Sequence, residues 1–211
     1  MTSLLRCQNL GAAYDGRIVL DDVSLDLGPG AYALQGANGS GKSTLLRLLA
    51  GAQSPSAGSI WIAGHDLARE PLAARQALAY VPDESPVYPF MTGHELLRFV
   101  AAARRVTPGN ELAQLTIALG LATQLERRFD AMSLGTQKKV LLAASAIGMP
   151  RVLLLDEPSN GLDAAARDVL EERILSLRDT TAILFASHDA EFVAATGASV
   201  LTMAALARQA A

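Results

Sequence analysis

The chain has 211 residues and a net charge of −3; half of its residues are hydrophobic and 18% are charged. These values fit one globular domain with a substantial core, and they exclude a disordered chain. There is no lysine or arginine block, so we expect no nucleic-acid partner held by a basic surface. The single cysteine, Cys7, excludes an internal disulfide framework and is typical of a reducing compartment.

The first residues, MTSLLRCQNL, lack the charged leader and long apolar stretch of a signal peptide. A membrane-spanning helix needs roughly 20 consecutive apolar residues, and the best candidate, VLLAASAIGM at 140–149, has about half of them. We therefore expect a soluble, cytoplasmic protein.

The first 83 residues are predicted to be mainly strands. LLRCQNL and RIVLDDVSLDL are predicted strands on either side of Asp15-Gly16, a pair typical of hairpin turns. AYALQG is a short apolar run that ends at a glycine, and GSIWIAG is another predicted strand. Between them, STLLRLLAG is a predicted helix with Gly51 as its C-terminal cap.

From residue 84 to 132 the pattern becomes helical. Thr92 and Glu95 form a predicted capping box, and NELAQLTIALGL has helical apolar spacing. After this region, RVLLLDE (151–157) and TAILFAS (181–187) are continuous apolar runs, typical of parallel strands covered on both faces. The predicted helix AAARDVLEERILSL lies between them and completes a strand–helix–strand unit.

Residues 36–43 fit the pattern G-x-x-x-x-G-K-[ST], which binds nucleoside triphosphates between a strand and a helix. The glycines allow backbone N–H groups to converge on phosphate oxygens. Lys42 neutralises the β- and γ-phosphates, and Ser43 offers its hydroxyl to Mg²⁺. A plain glycine-rich turn is the alternative, which the strand–loop–helix context disfavours. The predicted ATP-binding residues of this loop are Gly36, Asn38, Gly39, Ser40, Gly41, Lys42, Ser43 and Thr44.

The apolar run VLLLD is followed by a second carboxylate, so Asp156 and Glu157 stand side by side. A carboxylate at the carboxyl end of a parallel strand faces the ligand crevice. We expect Asp156 to hold Mg²⁺ through a water molecule and Glu157 to polarise an attacking water. Ordinary helix capping is the alternative for such a pair.

Residues 132–140, MSLGTQKKV, align without a gap to L-S-G-G-Q-Q-Q-R-V, the signature of ATP-binding cassette (ABC) ATPases. The chain resembles this family along essentially its whole length. Ser133 and Gly135 match the signature, whereas Leu134 replaces a glycine and Thr136 a glutamine. The resemblance implies that Ser133 and Gly135 contact the γ-phosphate of an ATP held by the opposite subunit. Helix capping by Ser133 is the alternative.

The resemblance also implies an α/β fold. Its parts would be a P-loop NTPase, RecA-like core with a mainly parallel sheet, an antiparallel β subdomain on the N-terminal side and an inserted α-helical subdomain. We expect residues 1–83 and 138–211 to form the core with its β subdomain, and residues 84–137 to form the helical subdomain that carries the signature.

Three further positions match sites of the family, and one position departs from it. The resemblance implies that Tyr14 stacks on adenine, that Asp163 acts across the dimer interface on ATP bound in trans, and that His188 reaches the γ-phosphate. Tyr14 is otherwise a surface strand residue, and Asp163 is also suited to be only a helix N-cap. Where the family has glutamine after YVP, this chain has Asp83. We hypothesise that Asp83 ligates Mg²⁺ and keeps the metal-sensing role.

By resemblance, two subunits lie head-to-tail around two ATP molecules, with Lys42, Glu157 and His188 as the catalytic residues. The second subunit is either an identical chain or a close relative. Separate integral membrane subunits would dock on residues 84–132, at the cytoplasmic face of the cell membrane. The segment ESPVYPFMTGHELL is similar to the YP-x-MT-x-x-E-x-L pattern of exporter-type members.

We therefore expect an ATP-hydrolysing subunit, with ATP and Mg²⁺ as ligands, that powers an ABC exporter. One alternative is a soluble ABC ATPase that works on a macromolecular assembly without transport. A small-molecule kinase with a P-loop is a third possibility, which leaves the signature and His188 unexplained.

Overall fold

A computed structural model describes residues 3–14, 17–84 and 87–207 of the chain. Within these ranges the strands are β1 (Leu5–Tyr14), β2 (Arg17–Leu27), β3 (Gly30–Gln35), β4 (Ala57–Ile62), β5 (His65–Asp66), β6 (Leu78–Val81), β7 (Val152–Asp156), β8 (Ala182–Ala186) and β9 (Ser199–Thr202). The helices are α1 (Lys42–Leu49), α2 (Pro71–Gln76), α3 (Gly93–Arg104), α4 (Asn110–Ala118), α5 (Leu134–Ala144), α6 (Ala164–Leu177), α7 (Ala190–Ala195) and α8 (Met203–Leu206). A short 3₁₀ helix covers Phe129–Ala131.

A five-stranded parallel sheet in the order β6-β7-β8-β3-β9 forms the centre of the protein. Every residue of β7 and β8 is buried, as their continuous apolar sequences predict. Because side chains alternate along a strand, Leu155 and Phe185 pack into one hydrophobic cluster, while Leu154 and Leu184 pack into another. The sheet therefore separates two cores.

The second sheet is antiparallel, with the order β2-β1-β4-β5, and it lies on the N-terminal side of the chain. Its apolar side chains share a core with α1, including Leu10, Ile62 and Leu45. Tyr14 pairs with Arg17 at one end of the β1–β2 ladder. The predicted turn at Asp15-Gly16 lies outside the described residues.

The helical portion packs against the other face of the parallel sheet. Its buried side chains Leu97, Leu121 and Phe129 belong to the same cluster as Phe185 of β8. The predicted capping box is confirmed, since Thr92 Oγ1 accepts from Glu95 N at 3.2 Å and Thr92 N donates to Glu95 Oε2 at 2.8 Å. Helix α5 spans residues 134–144, so it runs from the signature segment into this shared core.

The predicted fold class is thus confirmed: a parallel α/β core, an antiparallel sheet at the N-terminal side and a helical portion. Among the residues described, we find no helix with both the length and the apolar character that crossing a membrane requires.

Candidate active site

The loop between β3 and α1 has a backbone conformation suited to binding an anion. Gly39 and Gly41 have φ values of 76° and 95°, which side chains rarely tolerate, and a Cβ on Gly41 would lie 2.7 Å from Leu20 Cδ2. Gly41 is also the N-cap of α1, and no side chain of the described residues caps it. The first N–H groups of α1 therefore point into the loop with their partial positive charge.

Two polar groups of this loop are buried with incomplete partners. Lys42 is 8% exposed, and its Nζ donates to the carbonyls of its own loop, Gly36 O at 2.8 Å and Ala37 O at 3.3 Å. The buried Ser40 Oγ has no hydrogen-bond partner within the described residues. Within the described ranges Lys42 forms no ion pair at salt-bridge distance, and such an ammonium together with the orphaned Ser40 hydroxyl fits an anionic ligand such as a polyphosphate.

Asp156 lies at the end of β7, 3% exposed, with its Oδ1 accepting from Ser43 Oγ at 3.1 Å. Burial raises the pKa of Asp156, and the hydrogen bond from Ser43 opposes this rise. Ser43, Asp83 and Asp156 line a cleft of 740 Å³, here called the metal-side cleft. Mg²⁺ is commonly held by one or two carboxylates together with substrate phosphates, and this donor set fits that chemistry.

The register of the parallel sheet brings Glu157 and His188 together. Asp156 pairs with Ala186, so the residues that follow β7 and β8 leave the sheet at the same edge. His188 Nε2 lies 3.4 Å from Glu157 Oε1, and His188 N donates to Glu157 Oε2 at 3.4 Å.

Glu157 has a largely buried carboxylate and a backbone in an unfavourable conformation. Burial raises the pKa of Glu157, and the nearby His188 opposes this rise. Its side chain is 14% exposed, and its φ of 44° is in the left-handed region that non-glycine residues seldom occupy. A carboxylate with a raised pKa is a stronger base, so the local geometry suits general-base chemistry.

A second cleft of 530 Å³, the phosphate cleft, collects most of the predicted cis residues. It is lined by Val19, Asn38, Gly39, Gly41, Lys42, Ser43, Thr44, Arg47, Glu157, Asn160 and His188. Gly36 and Ser40 belong to the same loop but are not among the described residues that line this cleft, and a Cβ on Gly36 would lie 2.6 Å from Ser40 Oγ. Sequence reasoning missed Arg47 and Asn160. Arg47 follows Ser43 by four residues on α1, so helical spacing was a usable signal for it.

Tyr14 is placed apart from these groups. Its ring is 40% exposed, and its hydroxyl donates to Gln53 Oε1 at 2.9 Å. Within the described residues it does not line the phosphate cleft. Its stacking on adenine stays a prediction.

The signature residues also lie outside the lining of the phosphate cleft, as far as the described residues define it. Ser133 is exposed and caps α5 by accepting from Thr136 N at 3.2 Å, while the Leu134 side chain is 81% exposed. Gly135 lies so close to Gly161 O that a Cβ would collide with this carbonyl. The predicted trans contacts of Ser133 and Gly135 are therefore not made within one chain.

Asp163 has a structural role in the isolated subunit. It is the N-cap of α6, accepting from Ala166 N at 2.9 Å, and it forms an ion pair with Lys139 of α5. Side-chain hydrogen bonding to Lys139 lowers the pKa of Asp163. The signature helix and the segment before α6 are thus joined in cis, whereas the trans role of Asp163 stays a prediction.

Comparison with known proteins gives consistent matches. A family model described as "ABC transporter" matches residues 20–160. The chain is 34% identical over 178 residues to the ATP-binding cassette sub-family A member 7 of Rattus norvegicus, covering 82% of this chain and 8% of that protein. It is 34% identical over 197 residues to the putrescine transport ATP-binding protein PotG of Escherichia coli (strain K12), covering 90% of this chain and 52% of PotG.

A solved structure of the ATP-binding subunit of an ABC transporter aligns with a TM-score of 0.87 at 30% identity. The alignment covers 95% of this chain and 85% of that one. The chain spans about half of PotG and a small part of the rat protein.

Proposed function

Because the chain belongs to the ABC transporter family, we propose that it is an ATP-binding and ATP-hydrolysing subunit that powers separate membrane subunits. The observation that carries the proposal is the phosphate cleft, where Lys42, Glu157 and His188 meet beside uncapped helix N–H groups. A triphosphate there would give Lys42 an anionic partner in place of its own loop carbonyls.

In the proposed reaction Glu157 accepts the proton of a water whose oxygen attacks the γ-phosphorus, and His188 holds the Glu157 carboxylate in place. The bond between the γ-phosphorus and the β-phosphate oxygen breaks as the new P–O bond forms, so that ADP leaves and inorganic phosphate is the second product. The backbone N–H groups of the loop and Lys42 stabilise the charge that develops on the phosphate oxygens.

Ser43, Asp156 and Asp83 are the residues proposed to hold Mg²⁺, which neutralises phosphate charge when bound. The hydrogen bond between Ser43 and Asp156 already places two of these oxygens within 3.1 Å of each other. Asp83 faces the same cleft and is half-exposed.

We further propose that two subunits close head-to-tail around two ATP molecules, so that Ser133, Gly135 and Asp163 contact ATP held by the partner. The exposure of Ser133 and Leu134 in the single chain supports this arrangement. Loss of the γ-phosphate removes those contacts and separates the subunits, which gives the mechanical step.

The proposed docking surface for the membrane subunits is the region 84–132, at the cytoplasmic face of the membrane. Three exposed aromatic side chains support it: Tyr88 and Phe90, which stack with ring centroids 5.5 Å apart, and Phe99. Tyr88 and Phe99 also line the metal-side cleft, so a partner bound there would sit beside the proposed Mg²⁺ ligands. We propose export as the direction, since the segment around Met91 is similar to exporter-type members.

The catalytic proposal is tested with Glu157→Gln. This variant should bind ATP like the parent, hydrolyse it at least about 100-fold more slowly and accumulate as an ATP-bound dimer in size-exclusion chromatography. Near-normal turnover would overturn the assignment of Glu157 as the base.

The partner is tested by purifying the tagged chain from detergent-solubilised membranes of its native cells. A polytopic membrane protein in stoichiometric amount supports the transporter. A soluble complex without one supports the non-transport alternative. For direction, cells lacking the gene should accumulate the cargo internally; internal depletion would contradict export.

A further inference from the structure

A lysine that plays no part in the proposed reaction is buried between the signature helix and the proposed metal ligands. Lys138 of α5 is 5% exposed. Its Nζ lies 3.2 Å from each of four acceptors: Asp83 Oδ1, Asp83 O, Pro82 O and Asp156 O. A buried ammonium is costly unless it is paired and hydrogen-bonded, and here Asp83 is the carboxylate that pairs it.

These contacts join three separate parts of the chain. Asp83 follows β6, Asp156 ends β7, and Lys138 lies one turn and a half into the helix that Ser133 caps. The partners are 55 and 18 residues away from Lys138 in sequence. Lys138 therefore links the signature helix to two of the residues proposed to hold Mg²⁺.

Both members of the ion pair depart from the family pattern described above. By the resemblance described above, glutamine is expected at the position of Asp83, and the signature L-S-G-G-Q-Q-Q-R-V has glutamine at the position that aligns with Lys138; this chain has the two charged residues instead. Either change alone introduces an unpaired charge beside Asp156. Together they introduce opposite charges that touch each other, which leaves the net charge of the site unchanged.

We propose that Asp83 and Lys138 act as one charge-matched unit, in which Lys138 is a positioning residue that holds the Asp83 carboxylate beside Asp156. Asp83 and Asp156 line one cleft, and two carboxylates there repel each other. Lys138 touches the side chain of one and the backbone of the other, so it sets their separation. This inference rests on the proposed function for its effect on turnover, but not for the pairing itself.

The test is a double-mutant cycle with Asp83→Gln, Lys138→Gln and the double variant, which restores the neutral residues of the family. The first measurement is thermal unfolding without nucleotide. Asp83→Gln should lower the midpoint more, by at least about 4 °C, because it leaves a buried ammonium without its carboxylate. Lys138→Gln should lower it less, since Asp83 is 47% exposed and water can solvate it. The double variant should recover at least half of the larger loss.

The second measurement is ATP hydrolysis against Mg²⁺ concentration. Each single variant should lose about 10-fold in kcat with KM for ATP within about 2-fold, and the double variant should regain at least about 3-fold. A matched control is Asp83→Gln combined with Lys139→Gln. Lys139 is the neighbouring lysine and pairs with Asp163, so this combination should show additive losses and no recovery.

Additive midpoints in the main cycle would overturn the charge-matched unit. Recovery of stability with additive losses in kcat would reduce Lys138 to a structural residue and overturn its positioning role. If Asp83→Gln does not fold, a folded double variant is itself the recovery, and an unfolded double variant contradicts the proposal. Absence of ATP hydrolysis in the parent chain, even with its membrane subunits, would contradict the proposed function and leave the unfolding cycle readable.

Discussion

The loop at residues 36–43 and the signature segment at residues 132–140 differ in how many of the groups that could contact a phosphate are already in position within one chain. The loop has the buried Lys42, a Ser40 hydroxyl for which the described part of the chain provides no hydrogen-bond partner, and a hydrogen bond from Ser43 to Asp156. The signature segment offers an exposed serine that caps its own helix and an exposed leucine. We therefore propose that a single chain suffices for ATP binding at the loop, whereas the signature segment contacts an ATP molecule held by a second copy.

The two regions are nevertheless connected. Gly135 lies against Gly161, Lys139 pairs with Asp163, and Lys138 reaches Asp83 and Asp156. These contacts connect the signature segment directly to the metal-side cleft, which Asp83 and Asp156 line, and to the segment before α6. The difference between the loop and the signature segment can be tested by substitutions in each of them.

The largest effect is expected at the loop. Lys42→Met should reduce ATP hydrolysis at least about 100-fold and weaken ATP binding, because it removes the ammonium that lies within the phosphate-binding loop. Lys139→Met, the matched lysine on the signature helix, should leave ATP affinity of the monomer within about 2-fold. Titration with a fluorescent ATP analogue measures both. Equal losses of ATP affinity in Lys42→Met and Lys139→Met would show that the loop and the signature segment do not differ in their contribution to ATP binding by the monomer.

A smaller effect is expected at the signature segment. Gly135→Ala places a methyl group against the Gly161 carbonyl. Introduced into the Glu157→Gln protein, it should prevent ATP-driven dimerisation. Introduced into the parent chain, it should reduce ATP hydrolysis about 10-fold or more. ATP affinity of the monomer should change by less than about 2-fold. Gly109→Ala is the control, because a Cβ there has no neighbour within 4 Å in the described part of the chain. Size-exclusion chromatography with ATP decides the outcome.

The pH dependence of hydrolysis should distinguish the role of His188, which contacts Glu157, from that of His94, which contacts Glu126. Burial raises the pKa of Glu157 and His188 opposes this, so kcat should fall as the pH decreases through the resulting raised pKa. His188→Ala removes the opposing influence, and the acidic limb of the residual activity should move to higher pH. His94→Ala should leave the limb in place, since His94 lies 3.4 Å from Glu126 on the helical portion. An unmoved limb in His188→Ala would contradict the coupling.

The smallest effect is expected where the regions are joined at the surface. Asp163→Asn keeps an N-cap for α6 and loses the charge, so it should change the free energy of unfolding by less than about 0.5 kcal/mol. Asp163→Ala loses the cap as well and should cost about 1 kcal/mol. Denaturant unfolding measures both. If Asp163→Asn costs nearly as much stability as Asp163→Ala, the ion pair with Lys139 contributes more to the free energy of unfolding than the N-cap does.

Much of the fold was predictable because local patterns carry it. The helix AAARDVLEERILSL coincides with α6, the apolar runs became β7 and β8, and Gly51 follows α1 with a φ of 66°. Each of these depends on residues within a few positions of one another. The predicted strand LLRCQNL was too short: β1 runs on to Tyr14, because its pairing with β2 continues beyond the apolar stretch.

The site was predictable in its parts and less so in its connections. The loop glycines and Asp156 are recognisable because a single motif or strand end contains them. The four contacts of Lys138 were not predicted, since they join residues 18 to 56 positions apart and depend on where α5 lies against the sheet. The same holds for Asn160, which comes to the phosphate cleft through the path of the loop after β7.

At position 157 the backbone conformation favours one type of residue for stability, and the proposed reaction requires another. A left-handed conformation costs a residue with a side chain about 1–2 kcal/mol, and glycine or asparagine tolerates it better. A library of substitutions at this position, selected only for remaining folded, should therefore become enriched in glycine and asparagine. The same library selected for transport should retain glutamate, so the two selections should yield different residues at position 157.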